Sequence, residues 1–137
     1  MRFASLGSGS RGNGTLVQAG GTLLLIDCGF PLRVTEERLS RLGVKPQDLR
    51  AVLVTHEHGD HCNGVRVLAN RYRIPVYMTA GTARARQLLD VQHNITIDSH
   101  TAFVIDDVAI QPVAVPHDAA EPVQYVFEWA GKRLGVL

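Results

Sequence analysis

In the stretch AVLVTHEHGDHCNG, residues 51–64, three histidines and an aspartate fall within six residues directly after an apolar run. Imidazole nitrogen and carboxylate oxygen are the usual ligands of zinc and its first-row neighbours, at about 2.0–2.2 Å. His56, His58, Asp60 and His61 can therefore serve one closed site or be divided between two adjacent ions. Half of the chain's six histidines lie in this hexapeptide, a concentration that surface histidines beside a helix-capping aspartate do not explain. Two divalent ions about 3.5–4 Å apart lower the pKa of a shared water to about 7, present hydroxide for in-line attack and neutralise phosphodiester oxygens. Asp60, as a ligand, is also the candidate catalytic group that accepts a hydrogen bond from the attacking hydroxide and aims it.

A helix cannot bring His56 and His58 together, because residues two apart on a helix point to separate faces. At the end of an extended strand, positions i and i+2 share a face. AVLVT, residues 51–55, reads as a buried strand, so His56 and His58 leave its end side by side. Gly59 permits a sharp turn. Asp60 stands where a helix would begin, ahead of HCNGVRVLANRYR with Val65, Leu68 and Tyr72 at helical spacing. The four side chains then converge outside the strand's carboxyl end, where α/β proteins tend to place their sites.

Other candidates also sit at strand ends. Asp27 closes TLLLID, either as a cap near a helix or as a carboxylate holding the second nitrogen of a histidine ligand. His117 closes AIQPVAVPH and offers a third protein ligand to an ion already held by His56 and His58. The loop GSGSRGNG, residues 7–14, is either a plain hairpin turn or a cradle of backbone amides for an anion. Cys28 and Cys62 do not make a disulfide framework and read as small buried side chains, a thiolate ligand being the alternative.

The chain of 137 residues reads as one domain, 1–137, without linker or repeat, and 45% hydrophobic residues is enough for a sizeable core. A net charge of +1 argues neither for nor against nucleic acid. Twelve of the fourteen basic residues are arginine, which fits phosphate in a bidentate fork. Arg11, Arg66, Arg71 and Arg73 lie near the proposed site in sequence, with Arg84 and Arg86 on the next helix. The N-terminus lacks a signal-peptide h-region and no run of eighteen apolar residues occurs, so a cytoplasmic protein without membrane contact is expected.

The element pattern is strands first, then alternation, then strands again. FASL, TLVQA and TLLLID are strands, the last two joined by a GG hairpin. A helix around VTEERLSRL closes at Gly43. The strand IPVYMT precedes a helix ARARQLLDV capped by Thr82, and ITI, TAFVI, VAIQPVAV, VQYVFEW and KRLGVL are strands. The class is α/β (α+β).

THEHGDH, preceded by a strand ending in Asp27 and followed by His117, resembles the HxHxDH signature of the metallo-β-lactamase fold, which binds two metals. SLGSGSRGNGTLV, LLIDCG and VPHDAAEPVQYVF are similar to a narrower branch, the WalJ (YycJ)-like hydrolases, with exonuclease activity on DNA. The resemblance implies an αββα sandwich and two divalent ions, zinc or manganese. It implies that His56, His58 and His117 ligate one ion, that Asp60 and His61 ligate the other, and that Asp27 orients the cluster. Ser8, Ser10 and Asn13 would lie in a loop beside the substrate phosphate.

The family also supplies a bridging aspartate and a last histidine beyond a strand like KRLGVL, whereas this sequence stops at Leu137. A stop inside an apolar strand leaves backbone groups and a hydrophobic face without partners, so an N-terminal part of a longer protein is expected. On that reading the chain alone holds only the first half of the sandwich and some of the second, and self-associates through exposed apolar surface. The expected function is metal-dependent hydrolysis, as a phosphodiesterase or exonuclease on DNA. The alternatives are hydrolysis of a small ester, thioester, lactone or cyclic phosphodiester, and a metal-stabilised module without catalysis.

Overall fold

Alternation along the central strands sets the layering. In β3 (Thr22–Ile26), Leu24 and Ile26 belong to one apolar cluster and Leu25 to another; in β4 (Ala51–Leu53), Ala51 and Leu53 are divided from Val52 in the same way. Successive side chains of a strand point to opposite faces, so strands covered on both sides read as continuous apolar runs. The computed structural model describes residues 1–136.

The first sheet has the order β1 (Arg2–Gly7), β2 (Gly14–Ala19), β3, β4, β5 (Val76–Thr79), β6 (Asn94–Ile97). β1, β2 and β3 are antiparallel, while β3 through β6 are parallel. Parallel neighbours require crossovers. These carry α1 (Leu32–Arg41), then α2 (Gly59–Cys62) and α3 (Val65–Tyr72), then α4 (Ala80–Ala83) and a 3-10 turn at Arg86–Leu88. Leu39, Val65, Leu68 and Leu88 from these crossovers pack on Leu25, Val52, Val54 and Met78.

The second sheet is antiparallel: β10 (Lys132–Val136), β9 (Val123–Trp129), β8 (Val108–Ala114), β7 (Phe103–Ile105). Its Ile105, Val108, Ile110, Val123, Tyr125 and Phe127 face Leu24, Ile26, Ala51 and Leu53 of the first sheet. Leu137, read above as the end of the last strand, lies outside the described residues. Three of the four layers of an αββα sandwich are thus formed among the described residues. On the second sheet Val104 is 64% exposed and Val113 is 42% exposed.

Two helix expectations need correction. The helix expected to run on from Asp60 is broken into α2 and α3 at Asn63 and Gly64. A continuous helix would send Gly64 N–H to the carbonyl of Asp60. That carbonyl instead accepts from Asn13 N at 2.7 Å, and Gly64 N–H donates to Cys28 O at 2.8 Å. The helix expected over ARARQLLDV is also absent: Thr79, not Thr82, caps the four-residue α4 by accepting from Thr82 N at 3.3 Å. Ala85 is extended at φ −62 and ψ 139, so Arg84 and Arg86 do not share one helix.

The sheets are tied together near the carboxyl end of β4. The fully buried Tyr125 hydroxyl donates to Val54 O at 2.8 Å, and Val123 N–H donates to Thr55 O at 3.0 Å. Tyr125→Phe keeps the ring and deletes the first bond. We expect urea denaturation to show a loss of about 1 kcal/mol.

Candidate metal centre

Parallel pairing of β3 with β4 sets their carboxyl ends side by side, so Asp27 and Thr55 emerge next to each other. Asp27 has φ +63, a left-handed conformation that a non-glycine residue keeps only when its surroundings over-determine it. Its N–H donates to Leu53 O at 2.9 Å. Its Oδ1 accepts from Thr55 N at 2.8 Å, and its Oδ2 accepts from Thr55 Oγ1 at 2.7 Å and from His61 Nδ1 at 2.8 Å. The side chain sequence reading places as either a cap or a histidine-orienting carboxylate is the second of these.

These bonds decide which histidine nitrogens remain available. Thr55 gives its hydroxyl proton to Asp27, so its oxygen accepts from His56 Nδ1 at 2.8 Å, leaving the Nε2 lone pair of His56 free. His61 likewise donates through Nδ1 and keeps Nε2. His58 Nε2 lies 2.9 Å from the carbonyl of Asp118, which can only accept, so its Nδ1 is free. Metal-ligating histidines usually tie their other nitrogen to a carboxylate or carbonyl in this manner.

The loop bearing Asp60 and His61 is docked by backbone. Asn13 N–H donates to Asp60 O, Cys28 N–H donates to His61 O at 2.8 Å, and Gly29 N–H donates to Asn13 O at 3.0 Å. An added Cβ at Gly29 would collide with the Asp60 carbonyl, and one at Gly64 with that of Phe30, so both positions require glycine. The glycine loop connects β1 to β2, and a Cβ at Gly12 would strike the Phe30 ring. Asn13 Nδ2 donates to the Asp60 carboxylate and carbonyl, each at 3.1 Å, while Oδ1 accepts from Gly9 N at 3.1 Å. Nδ2 also donates to Gly9 O at 2.9 Å, so the Asn13 side chain joins the glycine loop to Asp60.

The β8–β9 loop brings His117 from the second sheet. Nitrogens of His56, His58 and His117 lie within 4.8 Å of one another, and Asp60 Oδ2 stands 3.7 Å from His61 Nε2 beside them. The His56 ring centroid is 4.2 Å from that of His61. Three imidazoles with free lone pairs next to a carboxylate fit a divalent first-row metal. They line a cavity of about 450 Å³ together with Ser8, Asn13 and Asp27. Ser10 and all twelve arginines are outside that lining. Cys62 is not a metal-facing thiolate: its Sγ donates to Glu57 O at 3.0 Å, and burial pushes its pKa up to about 11. Cys28 is also buried, with Sγ 3.2 Å from Thr35 Oγ1. Thr55, Glu57 and Asp118 escaped sequence reading. Their only signal was adjacency to the histidines.

Residues 7–134 match the family model described as the metallo-beta-lactamase superfamily. The chain belongs to this superfamily. Among curated relatives, it is 35% identical to the exodeoxyribonuclease YycJ of Bacillus anthracis, over 100% of this chain and 53% of that protein. It is 32% identical to the exodeoxyribonuclease WalJ of Streptococcus pneumoniae strain R6, over 93% of this chain and 49% of that protein. The chain thus spans about half the length of these relatives. The metallo-β-lactamase Rm3 superposes with a TM-score of 0.79 at 18% identity, over 97% of this chain and 56% of its own, a likeness of fold.

Two imidazoles of this site are pushed in opposite directions from the ordinary 6.5. Burial, then the charge of His61, lowers His56; the hydrogen bond to Asp27 raises His61 despite partial burial. Without metal, the His61 contribution to stability is present below pH 6.5 and fades as pH rises through its raised value. The His56 contribution has the opposite sign, being present above pH 6.5 and lost as pH falls through its lowered value. NMR titration of the metal-free chain should place His56 below and His61 above 6.5, and Asp27→Asn should bring His61 down while leaving the chain folded.

Proposed function

We propose that this chain is the metal-binding part of a metallohydrolase that cleaves DNA phosphodiester bonds as an exonuclease. The observation that carries the reading is the convergence of His56, His58 and His117 within 4.8 Å, with the second nitrogens of His56 and His58 already committed elsewhere. Full-chain similarity to two proteins named exodeoxyribonucleases supports the substrate.

In this reading His56, His58 and His117 hold one divalent ion, and Asp60 with His61 contribute to a second. Such ions lower the pKa of water and neutralise phosphodiester oxygens. Asp27 fixes His61 directly and His56 through the Thr55 hydroxyl, so both rings are oriented before any ion or substrate arrives. Asn13 holds the Asp60 carboxylate in place, where it accepts a hydrogen bond from the attacking water. That water would add to phosphorus as the bond to the leaving sugar oxygen breaks, its proton passing to Asp60 while the leaving oxygen takes one from solvent. Zinc and manganese both suit the donor set, and the remaining ligands of the second ion belong to the rest of a protein as long as its relatives.

One observation favours a second reading. A cavity of about 450 Å³ without an arginine in its lining also suits a small ester or cyclic phosphodiester. A polynucleotide track would then have to lie outside the cavity, on the exposed Arg66, Arg71, Arg84 and Arg86.

The test uses protein extended to the length of the relatives, with zinc or manganese supplied. Single- and double-stranded DNA should be degraded from an end, and His58→Ala should reduce metal content and abolish cleavage with the fold kept. Cleavage that survives complete removal of metal would refute the reading. Replacing the four arginines together by alanine should raise KM for DNA and flatten its salt dependence, with activity on a small phosphodiester retained. Equal loss on both substrates would instead point to a loss of fold rather than a binding track.

A further inference from the structure

The loop that supplies His117 spans residues 115–122 between β8 and β9, and burial does not hold its tip. Pro116, His117, Asp118 and Ala120 are exposed, with 87% of the Asp118 side chain in solvent. The base of the loop is closed by Val115 N–H on Pro122 O and Val123 N–H on Thr55 O. Its far end is pinned to α4, where Glu121 Oε1 accepts from Gly81 N at 3.0 Å and Thr79 Oγ1 donates to Glu121 O at 2.9 Å. The tip is hydrogen-bonded to two side chains of the first sheet's loop. His58 donates to Asp118 O, and Glu57 accepts from Ala120 N–H with Oε1 at 2.9 Å and Oε2 at 3.3 Å.

The backbone at Glu57 is held in place. Its carbonyl accepts from Gln87 Nε2 at 2.6 Å and from Cys62 Sγ at 3.0 Å, which fixes the backbone between His56 and His58. A carboxylate accepting a backbone N–H makes a charge-assisted bond, roughly twice as strong as a neutral one. We propose that Glu57, the middle residue of His-Glu-His, is a positioning residue: its carboxylate clamps Ala120 and so holds His117 where it completes the three-histidine cluster. This rests on the reading of His117 as a metal ligand. The clamp joins the two sheets at the one ligand that comes from the second, so it acts on the first ion without touching it.

The experiment compares wild type, Glu57→Ala, Glu57→Gln, His117→Ala and the double variant Glu57→Ala/His117→Ala. Zinc affinity is read by competition with a chromophoric chelator, and exchange of the Ala120 amide in metal-free protein is read by NMR. Glu57→Ala should speed Ala120 exchange and weaken zinc about tenfold, the low end of the effect of removing a partner that orients a ligand. Glu57→Gln keeps an acceptor oxygen without the charge, so it should make the weaker neutral bond and restore part of both. In the His117→Ala background, Glu57→Ala should weaken zinc no further. Unchanged affinity in Glu57→Ala would overturn the proposal. A Gln variant as weak as the Ala variant would overturn it by pointing to charge, and a full additional loss in the double variant would show an effect not routed through His117. If His117→Ala alone leaves zinc affinity intact, the ligand reading itself fails, an outcome separate from faster Ala120 exchange with unchanged zinc binding, which sinks only the clamp.

Discussion

The site depends on one buried carboxylate. Asp27 receives the backbone N–H and hydroxyl of Thr55 from the neighbouring strand and the Nδ1–H of His61 from the loop beyond it. A left-handed aspartate is strained by about 1–2 kcal/mol, which three charge-assisted bonds readily offset. Through Thr55 the same group sets the tautomer of His56. Two imidazoles are therefore aimed by a single side chain at a strand end, and parallel pairing of β3 with β4 is what makes this geometry available.

Around this anchor the chain avoids side chains where backbones must meet. The Asp60 loop approaches residues 28–29 closely enough that Gly29 and Gly64 leave no space for a Cβ. Asn13 occupies the same junction and takes both the carbonyl and the carboxylate of Asp60. The bond from Asn13 N to that carbonyl also ends α2, so the interruption between α2 and α3 follows from docking the loop rather than from weak helix propensity. The opposed shifts of His56 and His61 follow from the same arrangement, since one ring is buried while the other faces a carboxylate directly.

The second sheet brings His117 to the site on its β8–β9 loop, while Val123, Gln124 and Val136 of its strands line the cavity. Its apolar face packs on β3 and β4, and Tyr125 and Val123 bond to the segment of β4 that leads into the histidines. Burial thus holds the two sheets in register, whereas the exposed tip carrying His117 is left to polar contacts from Glu57 and His58. Hydrophobic packing is non-directional and cannot aim an imidazole; hydrogen bonds of defined geometry can.

Local patterns in the sequence determined the strands, because alternation, β-branched runs and glycine turns act over a few residues. They also determined the donor set, since His56, His58, Asp60 and His61 are neighbours in the chain and a strand end followed by a turn is enough to gather them. Tertiary structure decided the rest. Which carboxylate orients which ring depended on β3 lying beside β4, and the end of α2 depended on Asn13 reaching a carbonyl 47 residues away. Thr79 rather than Thr82 became a cap because Ala85 turns extended and Thr79 also bonds Glu121 across the sheets. Glu57 carries no sequence signal of its own because its partner, Ala120, stands 63 residues away. A hydrogen bond of that separation leaves no periodicity in either segment, and so only the folded chain reveals it.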